Sequence, residues 1–255
     1  VSYLWVMMTP GMHGYVRSVG VFALIWRLIL TSGTGAIFGF LVARDAYDTA
    51  ILAPLFILMS LSLGMAVFWV TILTMCRWNG YRVSSELSEK LRRLSALFIL
   101  GVLYLVALHH LTNLYMAHHL GIERFLLVDG GVYPWLFWLG FVLCGGIVPV
   151  WWFLDRRFCA PAWSLTAALM VIVGGLCHLY VIIIGAQAYP LRLVSGYRVD
   201  SGHYDGEITH YLPTLPELAL GIGGVSLALL LTVLAVRALP FLPTVTGPLP
   251  GSNRA

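Results

Sequence analysis

The residues of this 255-residue chain that are best suited to chemistry sit in apolar surroundings. The stretch 104–119 carries Tyr104, His109, His110, Thr112, Asn113, Tyr115, His118 and His119. On a helix His109 shares a face with Thr112 and Asn113, three and four residues on, while His110 points about 100° away. His109 with Asn113 offers a donor–acceptor pair. Ionisable groups at membrane depth usually face an interior cavity, and the plainer alternative is a neutral histidine hydrogen-bonded between helices. His178, in Gly174-Gly175-Leu176-Cys177-His178, falls at about the same depth on another helix. Two histidines at one depth, His109 or His110 with His178, can ligate a b-type haem, and each can equally be satisfied between helices.

A third group opens the last apolar stretch. Thr214-Leu215-Pro216-Glu217 has the S/T-x-x-E spacing in which each side chain caps the other residue's N–H. Pro216 suits a first helical turn, where its missing N–H has no partner to lose. By spacing alone Glu217 starts a helix.

The elements that position these residues follow from composition. The chain is 60% hydrophobic and only 10% charged, with several apolar runs longer than the roughly 20 residues that cross a bilayer as a helix. The expected fold is all-α, one integral membrane domain over residues 1–255. Its six expected spans lie near residues 19–43, 49–75, 94–117, 132–154, 163–188 and 214–239. No alternating ten-residue strands suggest a barrel. The longer connections are Arg77–Arg93, His118–Gly131 and Tyr189–Pro213, none of which fits a soluble domain. Val1–Thr9 reads as the tail of an interrupted apolar segment, so further chain is expected before it. In the first span Gly35 and Gly39 make a small-xxx-small pair that favours close helix contact. Arg27 in that span either snorkels to the headgroups or belongs to a proton path.

Charge sets the orientation. Arg17, Arg77, Arg82, Lys90, Arg92, Arg93, Arg156, Arg157, Arg237 and Arg254 fall at one set of helix ends, against Arg44, Arg124, Arg192 and Arg198 at the other. The positive-inside rule puts the first set, and both termini, in the cytoplasm. Asp45, Asp48, Glu123, Asp129, Asp200, Asp205, Glu207 and Glu217 then lie outside with His118, His119, His203 and His210. Cys76, Cys144, Cys159 and Cys177 are scattered, with no C-x-x-C or C-x-x-C-H, so neither an iron–sulfur cluster nor c-type haem is expected. No basic block suggests nucleic acid.

Three stretches resemble one family: Leu30–Phe68, the Gly-Ala-Gln-x-Tyr-Pro-Leu and Ser-Gly-Tyr run of Gly185–Tyr197, and the Tyr-x-Pro-Thr-x-x-Glu helix start within Tyr211–Pro240. They are similar to the NrfD family, the polysulfide-reductase-type membrane subunits, and among these to the members found in hydrogenase and sulfite-reductase complexes. The resemblance implies a cofactor-free bundle in a bacterial-type inner membrane, redox-active only within a complex. It implies electron exchange between quinone or quinol, bound as an exchangeable substrate, and a ferredoxin-like iron–sulfur subunit at the outer face, with a catalytic or cytochrome subunit beyond. Family members usually have more spans than these six. Under the resemblance His109, Asn113 and Thr112 are the expected quinone contacts, and Asp45, Asp48, Glu217 and His178 the expected proton path. The outer loop Gly196–Tyr211 is the expected docking surface. The competing readings are a haem b anchor and a secondary transporter; no inverted repeat or broken-helix pair supports the latter.

Overall fold

The computed structural model describes residues 6, 9, 12–78, 83–190, 207–209, 211 and 213–238. All regular structure among them is helical: α1 (Val16–Gly39), α2 (Leu52–Trp78), α3 (Ser85–Tyr115), α4 (Leu120–Arg124), α5 (Val132–Leu154), α6 (Pro161–Ala188) and α7 (Leu215–Ala238). Six of these, all but α4, are long and apolar enough to cross a membrane, as expected of backbone that must satisfy itself in lipid. The chain forms two units, 1–209 and 210–255, with α1–α6 in the first and α7 in the second. The expected docking loop Gly196–Tyr211 falls almost wholly outside the described residues, as do His203 and His210.

Several boundaries depart from the hydropathy reading. α3 begins at Ser85 rather than near residue 94, because Ser84 caps it by accepting from the Leu87 N–H at 3.3 Å. Its first turns are polar, with exposed i,i+4 pairs Lys90–Glu86 at 2.6 Å and Arg93–Glu89; hydropathy misses a helix that leaves the apolar layer. α1 stops at Gly39 rather than 43, and turns run to α2, among them Arg44 N–H to Leu41 O and Tyr47 N–H to Arg44 O. α2 accordingly starts at Leu52 and runs to Trp78. The segment His118–Gly131, expected to be loop, contains α4 and a widened π-helical turn over Phe125–Asp129.

Packing follows the small residues. A Cβ on Gly35 would lie 2.6 Å from Leu52 O, and one on Gly39 2.7 Å from Thr49 O, so this pair does bring α1 against the start of α2. α5 and α6 touch through Gly145 and Gly174, where a Cβ on Gly145 would lie 2.7 Å from Gly174 Cα. Apolar clusters fill both ends: Trp69, Ile99, Phe153 and Ala167 at one, Tyr47, Leu55, Ile122, Phe137, Phe141 and Val181 at the other. At the first end Arg92, 5% exposed, donates to Trp152 O at 2.7 Å, Asp155 O at 2.8 Å and Cys159 Sγ at 2.7 Å, tying α3 to the α5–α6 turn. At the second, the α1–α2 loop is strapped to the end of α6. Arg44 donates to Gln187 O and Tyr189 O at 3.1 and 3.0 Å, and the Tyr47 hydroxyl to Ile182 O at 2.9 Å. Burial of Tyr47 pushes its phenol up to about 12.

Candidate functional site

The second end holds the chemistry. After α3 the chain turns sharply, with Met116 N–H bonded to Asn113 O and His119 N–H to Met116 O. α4 then folds back across the end of α3 and sets Glu123 over it. Gly131, at φ +65, turns the chain into α5 in a conformation glycine adopts without strain. Glu123 is 1% exposed, and both carboxylate oxygens are held by α3: Asn113 Nδ2 donates to Oε1 at 2.7 Å, and His110 Nδ1 lies 2.7 Å from Oε2. Burial by itself would raise this carboxyl. The hydrogen bonds from His110 and Asn113 outweigh it and hold Glu123 below the usual glutamate range.

His109 lies next to this group, with Nε2 3.5 Å from Asn113 Nδ2. The α5 segment Leu136–Ile147 is π-helical, a widening often found at functional sites. It places Phe137 edge-on to His110, ring centres 4.8 Å apart, and Phe141 flat on His178, 4.0 Å apart at 13°. His178 is 1% exposed. Among the described residues, both its ring nitrogens and His109 Nδ1 are buried without a hydrogen-bond partner. Buried polar atoms are almost always paired, so three such nitrogens beside a bonded carboxylate make this end the candidate site.

The structure thus brings His109, Asn113 and His178 to one end of the bundle, as their common depth implied. The other expected residues go elsewhere. The Thr112 hydroxyl donates to Leu108 O of its own helix at 2.8 Å. Asp45 and Asp48 lie in the α1–α2 loop, Asp48 beside His118 and His119. Glu217 receives the Thr214 N–H and the Tyr211 hydroxyl, both at 2.7 Å, and so forms the Glu217 half of the expected cap within its own unit. Sequence reasoning missed Glu123 and the part played by His110. The available signal was a lone carboxylate in the largely apolar run Leu120–Val128.

A cavity lies elsewhere, a groove of about 710 Å³ among α1, α2 and α6. Its walls include Phe22, Trp26, Arg27, Phe56, Met59 and Leu63, and it opens outward between exposed apolar side chains. A void of about 20 Å³ is bordered by Met59 and Leu63, which also line that groove, and by Phe141, the ring that stacks on His178. The groove offers volume and the histidine–carboxylate cluster offers reactive groups; the cluster is the candidate site.

A multi-pass helical membrane protein, with a buried His–Asn–Glu cluster at one end of its bundle, is the class that fold and site define. The chain belongs to the NrfD family: the family described as polysulphide reductase, NrfD matches residues 4–190, which takes in α1–α6 and the whole cluster. It is 29% identical over 245 residues to the Hdr-like menaquinol oxidoreductase integral membrane subunit of Archaeoglobus fulgidus, covering 91% of this chain and 59% of that one. It is 29% identical over 236 residues to a putative dimethyl sulfoxide reductase membrane subunit of Halobacterium salinarum, covering 86% and 52%. A selenate reductase subunit of Mesobacillus selenatarsenatis is 24% identical over 232 residues, with 89% and 52% covered. The chain therefore spans little more than half the length of these relatives. No solved structure shows significant similarity to it.

Proposed function

We propose that this chain is the quinone-reactive membrane subunit of a multisubunit oxidoreductase, and that the cluster around Glu123 handles the protons of quinol oxidation or quinone reduction. The observation that carries this reading is Glu123 itself, a nearly inaccessible carboxylate bonded to His110 and Asn113 beside the unpartnered nitrogens of His109 and His178. The names of the menaquinol oxidoreductase, dimethyl sulfoxide reductase and selenate reductase relatives support it.

Quinol oxidation releases two electrons and two protons. The electrons pass to an iron–sulfur partner subunit at the outer face, beyond which a catalytic or cytochrome subunit completes the complex. On this reading His109 and His178 supply hydrogen bonds to the quinone oxygens. His110 accepts a proton, with Glu123 orienting the ring and stabilising its positive charge. Asn113 is a positioning residue, because its amide is already committed to Glu123. The outer placement of this end rests on charge: Arg17, Arg77, Lys90, Arg92, Arg93, Arg156 and Arg157 lie toward the opposite end.

Quinol-dependent electron transfer by the assembled complex tests the reading. His110→Ala is expected to lower kcat about a hundredfold, the scale of a lost general base, and Glu123→Gln to lower it less while shifting the pH profile. His109→Ala is expected to act mainly through KM. Unchanged quinol kinetics in all three variants, with the complex assembled, would overturn the assignment. The unpartnered nitrogens of His109 and His178 also suit the rival reading of haem b ligands, which a reduced-minus-oxidised absorption spectrum distinguishes. It is expected to be flat for the isolated chain, and Soret and α-band changes lost in His178→Ala would favour haem instead.

A further inference from the structure

A second cluster lies on the loops of the same end. Asp48 from the α1–α2 loop and His118 and His119 from the α3–α4 turn each bring a ligand atom within 4.8 Å of the others. Three features of the fold put them there. The Arg44 and Tyr47 bonds hold the α1–α2 loop to α6. The turn from Asn113 to His119 sets the two imidazoles side by side, ring centres 3.8 Å apart. Asp48 itself adopts φ +36, a region that aspartate enters more readily than most residues. The cluster is half open: Asp48 and His118 are exposed, while His119 is 2% exposed. His119 Nδ1 is buried and meets no hydrogen-bond partner among the described residues.

We infer that Asp48, His118 and His119 form a binding site for a divalent late transition ion, with Zn²⁺ as the fitting probe. Two imidazoles and one carboxylate are a zinc-type donor set, and three protein ligands leave a fourth position for water. Zinc bonds near 2.1 Å place neighbouring ligand atoms of a tetrahedron about 3.4 Å apart. Small rotations of the two exposed side chains, Asp48 and His118, close the remaining distance. The ion would join the α1–α2 loop to the α3–α4 turn. It would also stiffen α4, whose Glu123 N–H donates to His119 O at 3.1 Å.

The test needs no quinone, so its outcome is separate from that of the redox reading. The full chain, purified in detergent through a tag without histidine and stripped with chelator, is titrated with Zn²⁺ by calorimetry and with Co²⁺ by visible absorption. The expected results are saturable equimolar binding, a cobalt d–d band, and a higher thermal unfolding midpoint with Zn²⁺. Asp48→Asn, which keeps the backbone preference, and His118→Ala, at an exposed position, are each expected to weaken binding about tenfold or more, the scale on which a disturbed metal site loses affinity. Absence of saturable binding overturns the proposal. So does wild-type affinity in both variants, which places the ion on other histidines.

Discussion

Burying a carboxylate without partners costs several kcal/mol, and Glu123 avoids that penalty through two side chains on α3. Removing it leaves the buried Asn113 amide without its acceptor and His110 Nδ1 without its partner. Glu123→Ala is therefore expected to destabilise the bundle by about 3 kcal/mol, read as a lower unfolding midpoint in detergent. Glu123→Gln keeps an acceptor for Asn113 and is expected to lose about half as much. The carboxyl is held below its ordinary value, so the unfolded chain binds the proton more readily than the folded one. Its stabilisation is complete above the unfolded pKa of about 4.3 and is lost as pH falls through the folded value. The stability gap between wild type and Glu123→Gln should accordingly narrow on acidification below that range; a gap that does not change with pH removes the charge from the account.

Among the elements, the contact of α5 with α6 decides where His178 sits. Gly174 is one helical turn before it and meets the backbone of Gly145, so no side-chain rearrangement can make room for a larger residue. Gly174→Val is expected to destabilise the protein by about 2 kcal/mol and, if the proposed function holds, to lower quinol turnover with it. Gly64 on α2 has nothing within 4 Å of its would-be Cβ. Gly64→Ala should be neutral, or stabilising by up to about 1 kcal/mol from helix propensity. Equal losses at the two glycines would mean that helix propensity, not the close approach, sets the cost. The π-helical stretch of α5 belongs to the same arrangement, because it presents Phe137 and Phe141, four residues apart, to histidines of two different helices.

For the whole molecule, the asymmetry of basic residues predicts, under the positive-inside rule, a direction that labelling can check. A cysteine at Asp129, exposed beside α4, is expected to react with a membrane-impermeant maleimide in intact cells. One at Ser84, exposed at the start of α3, is expected to react only after the membrane is opened. The reverse pattern would put the Glu123 cluster on the cytoplasmic side and remove the outer-face partner from the proposal. The exposed apolar faces of α1, such as Phe22, Trp26 and Ile29, suit contact with lipid or with further helices.

The sequence by itself determined what depends on neighbours along the chain. Span number follows from summed hydropathy, close helix contact at Gly35 and Gly39 from their small-xxx-small spacing, the Glu217 cap from an i,i+3 spacing, and the His109–Asn113 pair from i,i+4. Tertiary structure alone decided what depends on a second segment laid across the first. His110 looked misdirected by helical geometry because that geometry counts neighbours on one helix. Its partner Glu123 arrives on α4, which is too short and too mixed in composition to show a period. Asp48 meets His118 and His119 for the same reason, since loop closure, not local spacing, brings residues so distant in the chain within reach of one ion.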